Sequence, residues 1–191
     1  MEEFLVSTGI VTLGEMGDKT QLLAILLAAR FRRPLPMIGG ILVATLANHA
    51  LAGALGHWVA SALGPNWLRW IIGISFIAMA GWMLIPDRLD DEAVPKKALR
   101  LGVFGTTAIA FFFAEMGDKT QIATVALAAR YDAFTAVVTG STLGMMLASA
   151  PAVYFGEAVA RRVSMRWVHS ASALVFLVLG LLTLLNPGQR L

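Results

Sequence analysis

The chain contains no cysteine and little charge. The first absence excludes disulfides, thiolate metal ligands and iron–sulfur chemistry, and leaves the redox compartment open. The second excludes an ordinary soluble domain: charged residues make up 14% of the chain, where a soluble domain carries roughly 25%. Histidine is scarce too, and His49, His57 and His169 stand singly. Each reads as an interfacial or core residue rather than a ligand. The N-terminus, Met1-Glu2-Glu3, has no basic n-region, and signal cleavage would remove or truncate the charged segment at 15–20, so the first helix is expected to be retained.

What is present is apolar: 58% hydrophobic residues and a mean hydropathy of +0.73. Lipid is therefore the expected solvent. Apolar runs fall near residues 4–28, 36–62, 67–86, 101–129, 134–160 and 167–186, each long enough for the roughly 20 residues of a spanning helix. The expected fold is all-α transmembrane with six helices. The first and fourth runs carry charge in their middles, which places function there.

The net charge of +3 would suggest nucleic acid in a soluble protein, but the basic residues lie in short loops beside helices. Loops one, three and five hold Arg30, Arg32, Arg33, Arg88, Lys96, Lys97, Arg100, Arg161, Arg162 and Arg166, against Arg69, Arg130 and Arg190 on the other side. The positive-inside rule then puts both termini outside the cytoplasm and the loop from Pro86 to Arg100 inside. Its acidic residues Asp87, Asp90, Asp91 and Glu92 read as a solvated joint between halves.

A shift of 100 residues lays Glu15-Met16-Gly17-Asp18-Lys19-Thr20-Gln21 on Glu115-Met116-Gly117-Asp118-Lys119-Thr120-Gln121. Without a gap it also matches Ala28-Ala29-Arg30 with Ala128-Ala129-Arg130, Gly40 with Gly140, Gly56 with Gly156 and Phe76 with Phe176. This is an internal duplication: repeat one over 1–86, a cytoplasmic linker over 87–100 and repeat two over 101–191. Three helices per repeat is an odd number, so the second copy enters from the opposite face. Such inverted repeats are the usual plan of secondary transporters, with the substrate site near the midplane and often at interrupted helices.

Each acid or lysine at the bilayer centre costs roughly 2.5–3.5 kcal/mol on insertion scales, so six such groups call for a function. On a continuous helix Glu15, Asp18 and Lys19 share one face, as do Glu115, Asp118 and Lys119; an unwound Gly17 or Gly117 would add free carbonyls. Four carboxylates and two lysines leave a net −2, cancelled by one divalent cation or by two protons. The site thus suits exchange of one for the other, with Lys19 and Lys119 pairing with the acids when metal is absent. The candidate metal ligands are Glu15, Asp18, Glu115 and Asp118, with Gln21, Gln121, Thr20 and Thr120 as further donors. All are hard oxygen donors that suit Ca²⁺, Mn²⁺ or Mg²⁺. No resident cofactor is expected.

Other polar and bulky residues have simpler readings. Asn48 is replaced by Ala148 in the other repeat and reads as helix-packing glue; the small residues of the second and fifth helices do the same. Met145 and Met146 read as gap-fillers, and Trp58, Trp67, Trp70, Trp82 and Trp167 as an interfacial belt.

The doubled Glu-x-Gly-Asp-Lys-Thr motif resembles the Gdt-type family of membrane cation transporters, over essentially the whole chain. The resemblance implies two inverted three-helix halves, exchange of Ca²⁺ or Mn²⁺ for protons, and a cation-binding role for Glu15, Asp18, Glu115 and Asp118. The short central loop resembles the compact bacterial members, which implies manganese export across the cytoplasmic membrane; a primary Ca²⁺/H⁺ antiporter is the alternative. An intramembrane metalloenzyme lacks a His-Glu-x-x-His or Gly-x-Ser-x-Gly motif, a passive channel does not explain lysines beside the acids, and two lysines in the site oppose a cationic amino acid as substrate. No nucleic-acid or protein partner is implied, and a monomer and a homodimer are both open.

Overall fold

Gly17 and Gly117 divide what the hydropathy pattern reads as single helices. The computed structural model describes residues 1–85, 98–131, 133–156 and 165–185, and among these the chain is all-helical. The elements are α1 (Glu2–Glu15), α2 (Lys19–Phe31), α3 (Pro34–Ala62), α4 (Pro65–Met83), a short 3₁₀ turn (Ala98–Leu101), α5 (Gly102–Glu115), α6 (Lys119–Tyr131), α7 (Phe134–Phe155) and α8 (Met165–Leu185).

The sequence leaves open whether the first and fourth helices are continuous or unwound at Gly17 and Gly117, and both are broken there. At 14 and 13 residues, α1 and α2 are each about 20 Å long, too short for a hydrocarbon core of roughly 30 Å; together they suffice. The same holds for α5 and α6. By contrast α3, α7 and the Trp167–Leu185 part of α8 are long and apolar enough to cross alone. Helix starts follow local chemistry: Pro34 and Pro65 occupy the first turns of α3 and α4, where a missing N–H leaves no bond unmade. Arg32 ends α2 in the left-handed region (φ 51°), its N–H donating to the Ala28 carbonyl.

Contacts run chiefly between the halves. The half-helix α1 packs chiefly on α7, and its repeat equivalent α5 on α3; α4 packs on α8, and α3 on α7. Residues aligned by the repeat play matching roles. A Cβ at Gly40 would lie 2.7 Å from the Phe104 carbonyl oxygen, and one at Gly140 2.5 Å from that of Phe4, so each glycine admits the other half's broken helix at backbone distance. Phe76 and Phe176 meet each other, ring centroids 6.0 Å apart. Here the small residues act as packing devices, as the sequence suggests. Gly117 does not: a Cβ there would touch nothing within 4 Å, and its requirement is conformational.

Large apolar side chains outside the core, including Trp58, Trp67, Trp70, Trp82 and Trp167, are exposed, as in a protein whose periphery meets lipid. His49 lies in the core with neither ring nitrogen partnered among the described residues; His57 is exposed and His169 half-buried. The acidic residues of the central connector and six of the thirteen basic residues used for orientation, Arg88, Lys96, Lys97, Arg161, Arg162 and Arg190, lie outside the described residues.

Candidate cation site

Each motif spells a turn between two half-helices. Glu15 closes α1; Met16 (φ −65°, ψ 114°) and Gly17 (φ 86°) then take the angles of a type II β-turn, closed by the Asp18 N–H on the Glu15 carbonyl at 3.2 Å. The second motif repeats this with Met116 (φ −62°, ψ 120°), Gly117 (φ 74°) and an Asp118 to Glu115 bond of 3.1 Å. Glycine is demanded where φ is positive. Asp18 and Asp118 then sit at the starts of α2 and α6, their carbonyls taking the first backbone bonds of those helices. The glutamines seal the turns: Gln21 Oε1 accepts the Gly17 N–H at 3.0 Å and Gln121 Oε1 the Gly117 N–H at 2.7 Å.

The two turns bring their acids together. Oxygens of Glu15, Asp18 and Asp118 lie within 4.8 Å of one another, and all three residues are buried. Two oxygens on opposite sides of one Ca²⁺ stand about 4.6–5.2 Å apart, given bonds of 2.3–2.6 Å, so a single cation can reach all three. Glu115 is also fully buried, in electrostatic range of Glu15, Asp18 and Asp118, yet neither of its oxygens has a hydrogen-bond partner among the described residues. A buried carboxylate in that setting needs a proton or a cation.

Hydroxyls and lysines complete the site asymmetrically. Thr20 donates to Glu15 Oε2 at 2.6 Å, and Thr120, from the other motif, donates to Glu15 Oε1 at 2.5 Å while standing 3.3 Å from Asp118 Oδ2. Lys19 Nζ pairs with Asp118 Oδ1 at 2.9 Å, and Lys119 Nζ donates to the Ile85 carbonyl beyond the end of α4 at 3.1 Å. The single-face arrangement expected of a continuous helix is thereby corrected: Asp18 opens a new helix, and the ion pair crosses from one motif to the other instead of joining Glu15 to Lys19. Glu15 and Glu115 stand at the C-terminal ends of half-helices, where the helix dipole adds negative potential and favours a cation.

Of the residues singled out for the site, Glu15, Asp18 and Asp118 converge with Glu115 in electrostatic range, the threonines bond to carboxylate, and the glutamine oxygens are engaged by backbone. Asn48, read from the sequence as helix-packing glue, does bond across helices, its amide reaching both the Phe112 carbonyl and Gln121; what the sequence does not show is that these partners flank the second break. A lone amide in an apolar helix, opposite alanine in the repeat, was the available signal.

This geometry agrees with what the chain is similar to. The profile of the family described as "Divalent cation/proton antiporter GDT1" matches residues 3–91 and 103–190. The chain belongs to the GDT1 family. Among its relatives, a Vibrio cholerae protein described as "Putative manganese exporter" is 48% identical over 96% of this chain and 90% of its own length. A Synechocystis GDT1-like protein is 30% identical over 87% of this chain and 89% of its own length. The Saccharomyces cerevisiae "Divalent cation/proton antiporter GDT1" is 24% identical over 95% and 83%. No solved structure matches the chain. As a GDT1 member with long apolar helices, this is a membrane transporter rather than an enzyme, and divalent cations and protons are its cargo.

Proposed function

We propose that this chain exports Mn²⁺ from the cytoplasm in exchange for protons, through a midplane site formed by Glu15, Asp18, Glu115 and Asp118, in the cytoplasmic membrane with both termini outside. The observation that carries this reading is the convergence of carboxylates from both motifs at two helix breaks. Manganese is favoured by the printed name of the Vibrio cholerae relative. The same hard oxygen donors also suit Ca²⁺, the second reading of the site.

The architecture behind it is two inverted three-helix repeats, residues 1–86 and 101–191, joined by a cytoplasmic linker over 87–100. The exchange of contacts between halves supports this reading: α1 rests on α7 as α5 rests on α3. Thr20 and Thr120 hold Glu15 in place, and an arriving cation displaces Lys19 from Asp118. The repeat supplies that lysine with a second seat. Shifted by 100 residues, the bond from Lys119 to the Ile85 carbonyl becomes one from Lys19 to the Leu185 carbonyl. Exchange of the two arrangements, with α1–α2 and α5–α6 rocking against the rest, alternates the face to which the acids open.

The test is metal uptake by inside-out vesicles with an acidic lumen, comparing Mn²⁺ with Ca²⁺ and wild type with Glu15→Gln. Export predicts gradient-driven Mn²⁺ accumulation that the variant loses. Ca²⁺ preferred over Mn²⁺ selects the second reading, and flux indifferent to the pH gradient sinks the exchanger.

A further inference from the structure

The two helix breaks are held differently. At the first, the Met16 N–H still donates to the Thr12 carbonyl at 3.2 Å, completing the last turn of α1. At the second, no backbone N–H among the described residues closes on the Phe112 carbonyl in that way; Asn48 Nδ2 donates to it at 3.0 Å. Asn48 Oδ1 accepts from Gln121 Nε2 at 3.5 Å, and Gln121 Oε1 accepts the Gly117 N–H at 2.7 Å. One fully buried amide on α3 thus spans the second break, holding the end of α5 directly and the start of α6 through Gln121. Ala148 occupies the corresponding place on α7 and has no amide; Gln21 reaches only its backbone carbonyl, at 3.3 Å.

We infer that Asn48 is a positioning residue for the transport cycle, a clamp that ties the second half-site to α3 and leaves the first the readier of the two to yield as both rock. This rests on the transport reading above. Helices broken at equivalent turns would otherwise be equivalent, yet the acids are not: Glu15 accepts two hydroxyls while Glu115 has no hydrogen-bond partner among the described residues. The clamp supplies a cause. By taking the Phe112 carbonyl, it keeps the last turn of α5 from closing as that of α1 does, and so sets where Glu115 stands relative to the cluster. A cation then meets a stiffer wall carrying Glu115 and Asp118 and a more yielding one carrying Glu15 and Asp18. Without the amide, the Met116 N–H is free to complete α5, and the second break becomes a copy of the first.

Three variants test this, in proteoliposomes with Mn²⁺ and a pH gradient and, separately, by backbone hydrogen exchange in detergent without metal. Asn48→Ala, which installs the residue native to position 148, is expected to raise KM for Mn²⁺ about tenfold, the net worth of one good buried hydrogen bond, with a smaller change in turnover. It should also speed exchange in segment 112–121. Ala148→Asn, which leaves Asn48 in place, should clamp the first break as well, slowing turnover and exchange in segment 12–21. The double exchange, Asn48→Ala with Ala148→Asn, should recover much of the lost affinity, which a merely structural asparagine would not do. Unchanged KM and exchange in Asn48→Ala, or no slowing in Ala148→Asn, overturns the clamp. Wild-type protein that carries no Mn²⁺ overturns the transport reading instead, and the exchange measurements still decide the clamp.

Discussion

Lys19 of the first motif pairs with Asp118 of the second at 2.9 Å, across the boundary between the two repeats. The acid is almost wholly buried and the lysine side chain about a quarter exposed, so the pair joins a partly exposed cation to an interior anion. Removing the lysine alone strands a carboxylate beside Glu15 and Asp18. Lys19→Met should therefore lower the thermal midpoint in detergent, and adding Asp118→Asn should restore part of the loss. A double-mutant cycle is expected to give a coupling of about 1–3 kcal/mol; additivity would mean the contact carries no energy.

Glu115 leads to a different expectation. Its carboxylate is buried without a hydrogen-bond partner among the described residues, so Glu115→Gln removes a group that costs folding energy in the metal-free protein. The variant should insert normally and melt no lower than wild type, while losing Mn²⁺ transport. A large drop in midpoint would show that Glu115 is a structural element.

Thr120 bridges the motifs by donating to Glu15. Thr120→Val keeps the shape and loses the hydroxyl; a hydrogen bond to a charged group is worth roughly 1.5–3 kcal/mol, or about a 10- to 100-fold change in metal affinity. Titration of Mn²⁺ binding to the purified protein measures it, and Thr20→Val should behave alike through the other oxygen of Glu15.

Gly117→Ala isolates the backbone. A methyl group there meets nothing within 4 Å, but φ is +74°, and the left-handed region costs a residue with a Cβ roughly 1–2 kcal/mol. The expected result is a modestly lower midpoint and strongly reduced transport, as α5 and α6 move toward one continuous helix. Full activity would show that the break is dispensable.

Much of this site was legible in the sequence, and what was not has physical reasons. The duplication, the acids and the hard-oxygen chemistry follow from residues 15–21 and 115–121 alone. The break itself was written there too, since Met-Gly suits a type II turn and Asp starts a helix; apolar residues on both sides hid it by extending the hydropathy run. The crossed pairing of Lys19 was not readable, because helical spacing describes neighbours within one helix and this partner comes from another. Nor was the part played by Asn48: an asparagine in an apolar helix satisfies its amide wherever a carbonyl lies open, and only the fold shows that Phe112 offers one.

The exchange of contacts between halves also bears on how the protein is made. Since α1 finds its main support on α7, and α5 on α3, neither repeat is a self-sufficient folding unit. A nascent chain must shelter Glu15, Asp18 and Lys19 in the bilayer or the insertion machinery until the second repeat arrives to neutralise and cover them. Early-synthesised halves left waiting would be natural targets for membrane quality control, and the connector between them sets how soon the wait ends.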